Sequence, residues 1–362
     1  MLRTDAIILG GGIIGCSLAE ELARRGQRVV VVERGRIGGE ASSAAAGILS
    51  AQMDVPRPGV FFDLCQDARR AYPVWIKRLE RQSKEKVGFS RSGVLYLAAT
   101  AAEVHRMQAR ANWQTKQGLR VERWSAAEVR RHEPAVDGRF QAGFHFPLEG
   151  QVDNVLLMRA LASVCRFAGV VLKEETKAER LLIRNNKVYG VQTSRGVFEA
   201  PVVVNTIGSW AGVQQFPIRL PVEPARGQII SFSGPKRLFR RPIMTERAYI
   251  VQREDGQILL GSTIERVGFK KALTVKGMHD ILFGCRRISS KLLDCRYVNA
   301  WSGLRPYSRT GYPILGPTKV SGVYAATGHF RHGILLAPTT ATVMADLILK
   351  GRSTFNLSPF YP

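Results

Sequence analysis

The sequence predicts an α/β chain, a Rossmann-like dinucleotide-binding domain through which a mostly antiparallel β-sheet domain is interleaved. Three observations carry that prediction. A strand, a glycine cluster, a helix and a second strand follow one another in "DAIILGGGIIGCSLAEELARRGQRVVVVE"; β-branched runs of the same kind return in "GVVL", "VVVN" and "GVYAAT"; and the middle of the chain is rich in strands without alternating helices. No Pro/Gly/Ser linker divides the chain. Both domains are therefore read as discontinuous, with residues 1–60, 142–220 and 308–362 in the nucleotide domain and 61–141 and 221–307 in a substrate domain.

Taken in order, Asp5 to Leu9 reads as a strand, Ile13 to Arg25 as a helix and Arg28 to Glu33 as a strand, which makes a βαβ unit. Apolar residues at helical spacing predict a long helix over 61–86. A strand at 93–98, helices at 101–117 and 125–131 and an extended piece at 142–146 interrupt the nucleotide-binding pattern. A helix at 155–168 and strands in "GVVL" and "VVVNTIGSWAG" resume it. From Val222 to Tyr307 the segments "GQIISFS", "AYIVQR", "GQILLG" and "YVNAWSG" read as strands, with a helix near 276–288. "GVYAAT" is a buried strand, and 334–349 a final helix.

Composition narrows the function classes. The 362 residues are 45% hydrophobic, enough for well-filled cores. No segment approaches the roughly 18 uninterrupted apolar residues that a membrane-spanning helix needs, and glycines break the apolar run at the N-terminus, so neither a signal peptide nor a membrane span is expected and the cytoplasm is the expected compartment. Five cysteines at wide intervals form neither a zinc pattern nor a redox pair, so no metal is expected. Lys and Arg number 53 against 29 Asp and Glu, a net +24, but they are scattered and read as a basic solvated surface.

The chemistry begins at Gly10, Gly12 and Gly15, spaced G-x-G-x-x-G between a strand and a helix. The first glycine makes the turn, the second admits a pyrophosphate to the backbone, and the third lets helix and strand approach; the helix N-terminus then offers N–H groups to phosphate. Glu33, at the end of the second strand, is placed to accept ribose hydroxyls and disfavours a 2′-phosphate. The small residues of "GGEASSAAAGIL" let the following loop lie flat on a ligand that continues beyond the pyrophosphate, as FAD does.

With "GGGIIG", "SAAAGIL", "VVVNTIGSWAG", "AYIVQR", "WSGLRP" and "GHFRHGILLAP" in this order, the sequence resembles the D-amino-acid oxidase family of FAD enzymes, and within it the branch that oxidises glycine. The resemblance implies the D-amino-acid oxidase type of fold and noncovalent FAD. It would place Ile13, Ile14, Glu33 and Arg34 at the diphosphate and adenosine, Ala41, Ser42, Ala46, Gly47 and Ile48 along the ribityl chain and ring, the Ala178 backbone at the adenine, and Gly208, His329, Phe330, Arg331, His332, Gly333, Ile334 and Leu335 around the cofactor. Arg305 matches the arginine that grips the substrate carboxylate, and Tyr249 the tyrosine that adds a hydrogen bond to it. Arg331 is expected at the flavin and the substrate's amino side.

The implied reaction is oxidative deamination of glycine, sarcosine and small D-amino acids to the 2-oxo acid, ammonia or methylamine, and hydrogen peroxide, by hydride transfer from the α-carbon to the flavin, with the product feeding thiazole and thiamine synthesis. No general base is required, because the neutral amine supplies the electron push. The partners implied are a small amino acid and oxygen, in a homotetramer. The chain departs from the pattern at Arg247, where histidine is usual, and at Ile48 and Ile264, where methionines would line the pocket. "GLRP" is followed by no cysteine, against covalent flavin. Two alternatives keep the flavin: a D-amino acid dehydrogenase, or a sarcosine oxidase-like enzyme. A third, a tRNA-modifying FAD oxidoreductase, draws on the +24 charge but finds no basic–aromatic stripe to bind nucleic acid.

Overall fold

In the computed structural model, residues 2–214, 216–217 and 219–362 are described. A six-stranded sheet in the order 314–317, 323–327, 202–205, 6–9, 29–32, 171–173 forms the first layer. All neighbours run parallel except the edge strand Ile314–Pro317. Ala6–Leu9 and Val29–Val32 are buried at every position, as unbroken apolar strands covered on both faces must be.

Four helices build one covering layer: α1 (Ile13–Arg24), α2 (Val60–Ser83), α3 (Asn154–Phe167) and α4 (Gly333–Lys350). Their apolar faces share a core with Ile8, Val31 and Val204 of the sheet. On the opposite face Ile7, Leu9, Val30 and Val32 meet Val188, Val191 and Phe198 of a four-stranded sheet. That second sheet, built on Ala178–Arg184, Lys187–Thr193 and Gly196–Glu199, occupies a stretch to which the sequence pattern assigns no element. Helix α4 has the length and hydropathy of a membrane span, yet 72% of it is buried inside the fold, as a core helix is.

The other unit is an eight-stranded sheet, ordered 296–308, 222–233, 257–261, 249–252, 243–244, 94–98, 142–146, 122–124. Its period-two alternation makes two cores. Leu95, Leu97, Ile250 and Leu260 face helix Val275–Arg286, while Val94, Tyr96, Tyr249 and Leu259 face helix Ala101–Lys116.

The structure corrects three readings of the chain. Helix α2 opens the 61–141 segment assigned to the substrate domain, but Phe62, Leu64, Tyr72 and Leu79 pack into the core beside α1, α3 and α4. Strand Ala142–Phe146, assigned to the nucleotide domain, pairs antiparallel with Val94–Ala98 in the eight-stranded sheet. Amphipathic periodicity says that an element has a buried face, not which sheet will cover it. Of "VVVNTIGSWAG", only Val202–Asn205 is strand; Gly208–Gly212 winds into a 3-10 turn, with Gly208 at positive φ.

Candidate active site

One elongated cleft runs between the two units. At its first end, Gly10 turns the chain at φ +104°, a backbone that side chains resist, and its carbonyl accepts from Thr206 Oγ1 at 3.0 Å. A Cβ on Gly15 would overlap that same carbonyl, so this glycine lets α1 pack on the strand while not itself lining the cleft. Ser42 Oγ accepts from the Ile13 N–H at 2.9 Å, tying the "ASSAAAG" segment to the start of α1. The Glu33 carboxylate accepts from the Gly11 and Gly35 N–H groups at 2.7 and 2.8 Å and faces the cleft.

Arg34 lies 3.5 Å over the ring of Trp210, whose other neighbour is Phe269, 5.4 Å away in a stack. Lys271 pairs with Glu40, which also meets Arg34 at 3.2 Å. The 265–274 loop of the substrate unit therefore lies against this end of the cleft. Lys177 and Ala178 line it as well.

Between the ends the wall is made by Gly12, Ile13, Ile14, Ala41, Ser42, Ala46, Gly47, Ile48, Gly208, His329, Phe330, Gly333 and Ile334. The "GHFRHG" turn is pinned to the long strand 296–308 by the Phe330 N–H, which donates to the Pro306 carbonyl at 2.9 Å, and Phe330 is held at φ +49°. His329 is held as a neutral, hydrogen-bonded ring. It is buried, its Nε2 meets Thr340 Oγ1 at 3.1 Å, and burial pulls its imidazole down to about 3. His332 and Leu335 do not line the cleft: His332 sits edge-on to Phe61 at 5.1 Å, and Leu335 faces a separate small pocket with Arg69 and Tyr72.

The far end rests on sheet register. Ala225 stands opposite Arg305, Gly227 opposite Gly303, and Ile229 opposite both Trp301 and Gly261; Tyr249 pairs with Gly261 from the other side. Gly227, Tyr249, Gly303 and Arg305 thus share the face that floors the cleft. Side chains at Gly227 and Gly261 would overlap the Arg305 guanidinium and the Tyr249 ring. Arg305 is fixed from behind, donating from Nη2 to Ser262 Oγ at 2.7 Å and from Nη1 to the Thr263 carbonyl at 3.1 Å. Burial raises the Tyr249 phenol, so it stays protonated and can donate.

Arg331 lines this end and is ion-paired with Asp54 at 3.2 Å, a partner absent from the sequence expectation. One pocket-wall expectation changes: Ile264 is 55% exposed and does not line the cleft. Arg247, which the sequence leaves open between a place in the site and an outward one, is exposed on the surface. Ile48 does line the cleft, beside Met244. Sequence reasoning missed Asp54, Gly227, Gly261, Ser262 and Trp210. Only the glycines left a signal, standing at the ends of the strand-like stretches "GQIISFS" and "GQILLG", where a close approach calls for one.

An elongated cofactor fits this cleft. Its first end offers a helix N-terminus and a carboxylate, its middle is walled by small residues and backbone, and its far end holds a guanidinium and a phenol.

A family model described as FAD dependent oxidoreductase (DAO) matches residues 5–347. The bifunctional protein ThiO/ThiG of Trichormus variabilis is 33% identical over 99% of this chain, which spans 55% of that relative's length. The glycine oxidase of Geobacillus kaustophilus is 31% identical, over 99% of this chain and 96% of its own. The crystal structure of glycine oxidase from Geobacillus kaustophilus superposes with a TM-score of 0.96 at 29% identity, covering 100% of this chain and 98% of that one.

Proposed function

The chain belongs to the DAO family of FAD-dependent oxidoreductases, and from that premise we propose that it oxidises glycine, and with it sarcosine and small D-amino acids, to the 2-oxo acid, an amine and hydrogen peroxide. The observation that carries this reading is the Arg305–Tyr249 pair, set on one sheet face at the end of the cleft opposite the G-x-G-x-x-G turn. FAD, when bound, supplies the redox chemistry, taking a hydride from the substrate α-carbon and passing the electrons to oxygen.

The remaining work falls to the chain's own residues. Gly10, Gly12, Ile13 and Ile14 would meet the pyrophosphate, Glu33 the ribose, and Arg34, Lys177 and Ala178 the adenine end. Arg305 would take the substrate carboxylate through its planar fork, its back edge already satisfied by Ser262 and Thr263. The Tyr249 hydroxyl would donate a second bond to the same carboxylate. Holding the carboxylate at two points fixes the α-carbon, and the start of α4 would present its partial positive charge to the ring.

Attachment is read as noncovalent, the assembly as a homotetramer and the compartment as the cytoplasm. The similarity to ThiO/ThiG supports a role in supplying the thiazole of thiamine. The test is peroxide release by the purified yellow protein with glycine, sarcosine and D-alanine. If none of them reduces the flavin anaerobically, the reading fails; if they reduce it but air reoxidises it slowly, the acceptor is a carrier and the enzyme a dehydrogenase.

A further inference from the structure

The cleft is lined by three carboxylates among the described residues, and they are not equivalent. Glu33 and Glu40 stand at the nucleotide end, tied to Gly11 and Gly35 and to Arg34 and Lys271. Asp54 stands at the substrate end, where it meets Arg331 and its charge reaches Arg305. Its side chain is 14% exposed, while that of Arg331 is 37% exposed.

The segment bearing Asp54 is held firmly from behind. Glu149 accepts from Ser50 Oγ at 3.0 Å, from the Met53 N–H at 3.1 Å and from the Gln52 N–H. Gln114, on helix Ala101–Lys116, locks the same turn: its Nε2 donates to the Gln52 carbonyl at 2.8 Å and its Oε1 accepts from Gln52 Nε2 at 3.1 Å. Three backbone groups of the turn, on Gln52 and Met53, and the side chains of Ser50 and Gln52 are thus bonded to neighbouring elements. An acid fixed this way at the cleft wall is a built feature, unlike one on a free loop.

The substrate class of the proposed reaction raises a charge problem. A small amino acid enters as a zwitterion, and Arg305 and Tyr249 satisfy only its carboxylate. Its ammonium then lies in a pocket with two guanidinium groups, which repel it. Resting on that proposed function, we infer that Asp54 is the specificity-determining residue that receives the substrate ammonium on entry; the ammonium then releases one proton to solvent, leaving the neutral amine whose lone pair drives the hydride transfer. The cation exchanges with the more exposed Arg331, which turns outward, so the enzyme selects amino acids over hydroxy acids and plain carboxylic acids of the same size. Desolvating a cation requires an acceptor of opposite charge, and at this end Asp54 is the carboxylate that faces the cleft.

The test compares glycine with glycolate, which has the same length and carboxylate but no ammonium. Wild-type, Asp54→Asn and Arg331→Ala holoenzymes are titrated with glycolate by flavin absorbance, and kcat/KM and KM are measured for glycine. The expected result for Asp54→Asn is a KM for glycine raised at least tenfold and glycolate bound as tightly as by wild type or more so. Arg331→Ala is expected to keep the preference for glycine, because it removes only the competitor. Equal weakening of both ligands by Asp54→Asn, with FAD content and Tm unchanged, would reduce Asp54 to a structural partner of Arg331 and overturn the inference. So would loss of the preference in Arg331→Ala. Failure of the wild-type flavin to be reduced by any amine is a different result, and it strikes the proposed function itself.

Discussion

The two ends of the cleft are built in different ways. At the nucleotide end the centre of the site, Gly10, Gly12, Ile13, Glu33 and Arg34, comes from a single stretch, residues 10–34, folded as one βαβ unit, with Lys177, Ala178 and Trp210 added at its margin. At the substrate end, Asp54, Gly227, Tyr249, Ser262, Arg305 and Arg331 come from six separate places, joined by the register of the eight-stranded sheet and by the turn before α4. The first end is a backbone device, in which glycines and helix N–H groups matter. The second is a side-chain device on a rigid floor. A change at the first should therefore register as cofactor loss or instability, and a change at the second as loss of substrate handling with the cofactor retained.

The sharpest way to test that division is Arg305→Ala. Losing a half-buried guanidinium with no substitute for the carboxylate should cost about 3 to 4 kcal/mol, or roughly 10²- to 10³-fold in kcat/KM for glycine. FAD content and Tm should stay near wild type. Arg331→Ala should cost far less, because Arg331 is already paired to Asp54 and partly in solvent. Steady-state kinetics on the two yellow proteins decides this, and an equal loss in Arg331→Ala would mean that the carboxylate grip is shared.

The converse change is Gly15→Ala. Its Cβ would meet the Gly10 carbonyl and the Thr206 hydroxyl, both held in place by the strand beneath. Overpacking of this kind costs about 2 to 3 kcal/mol. The expected outcome is a lower Tm and faster FAD release, followed by flavin fluorescence, with the KM for glycine unchanged in the molecules that keep FAD. A shifted KM in fully loaded enzyme would show that the two ends are coupled.

The same contrast explains how much could be read in advance. The turn, helix and acid of the βαβ unit have a local cause, so spacing alone exposed Gly10, Gly12, Gly15 and Glu33. Tyr249 and Arg305 came from resemblance to a family, since a tyrosine in one strand and an arginine in another have no spacing in common; the pairing that joins them through 222–233 and 257–261 exists only in the folded sheet. Helix α2 was found as a helix and given to the wrong unit for a related reason: its apolar stripe is indifferent to the partner that buries it. Asp54 was invisible because a lone acid in "SAQMDVPRPG" looks like any loop residue, and what makes it different is Glu149, 95 positions later.

Glu149 also makes a prediction, one of pH. It is almost fully buried, and burial pushes its carboxyl up from 4.5 to about 7, against the pull of the hydrogen bonds from Gln52, Met53 and Ser50 and with the charge of Asp54 adding to the rise. Asp54 and Glu149 in turn act on Arg110, and Glu149 on Arg69, so the guanidinium groups of two helices face this acid. A carboxyl raised on folding holds its proton more tightly in the native state. Its contribution to stability is therefore complete below the unfolded value near 4.5, declines as pH rises, and is gone above about 7. The change across that window should be on the order of 3 kcal/mol. Glu149→Gln keeps an oxygen for the Gln52 and Met53 N–H groups and an amide to donate to Ser50, but it cannot ionise. Thermal unfolding of wild type and variant at steps between pH 4.5 and 7.5 should show the wild-type Tm falling relative to the variant as pH rises. Parallel curves would mean that Glu149 keeps one protonation state throughout. If the KM for glycine also drifts with pH in wild type but not in Glu149→Gln, the turn that Glu149 holds transmits its charge to Asp54, and the substrate end depends on a residue outside the cleft.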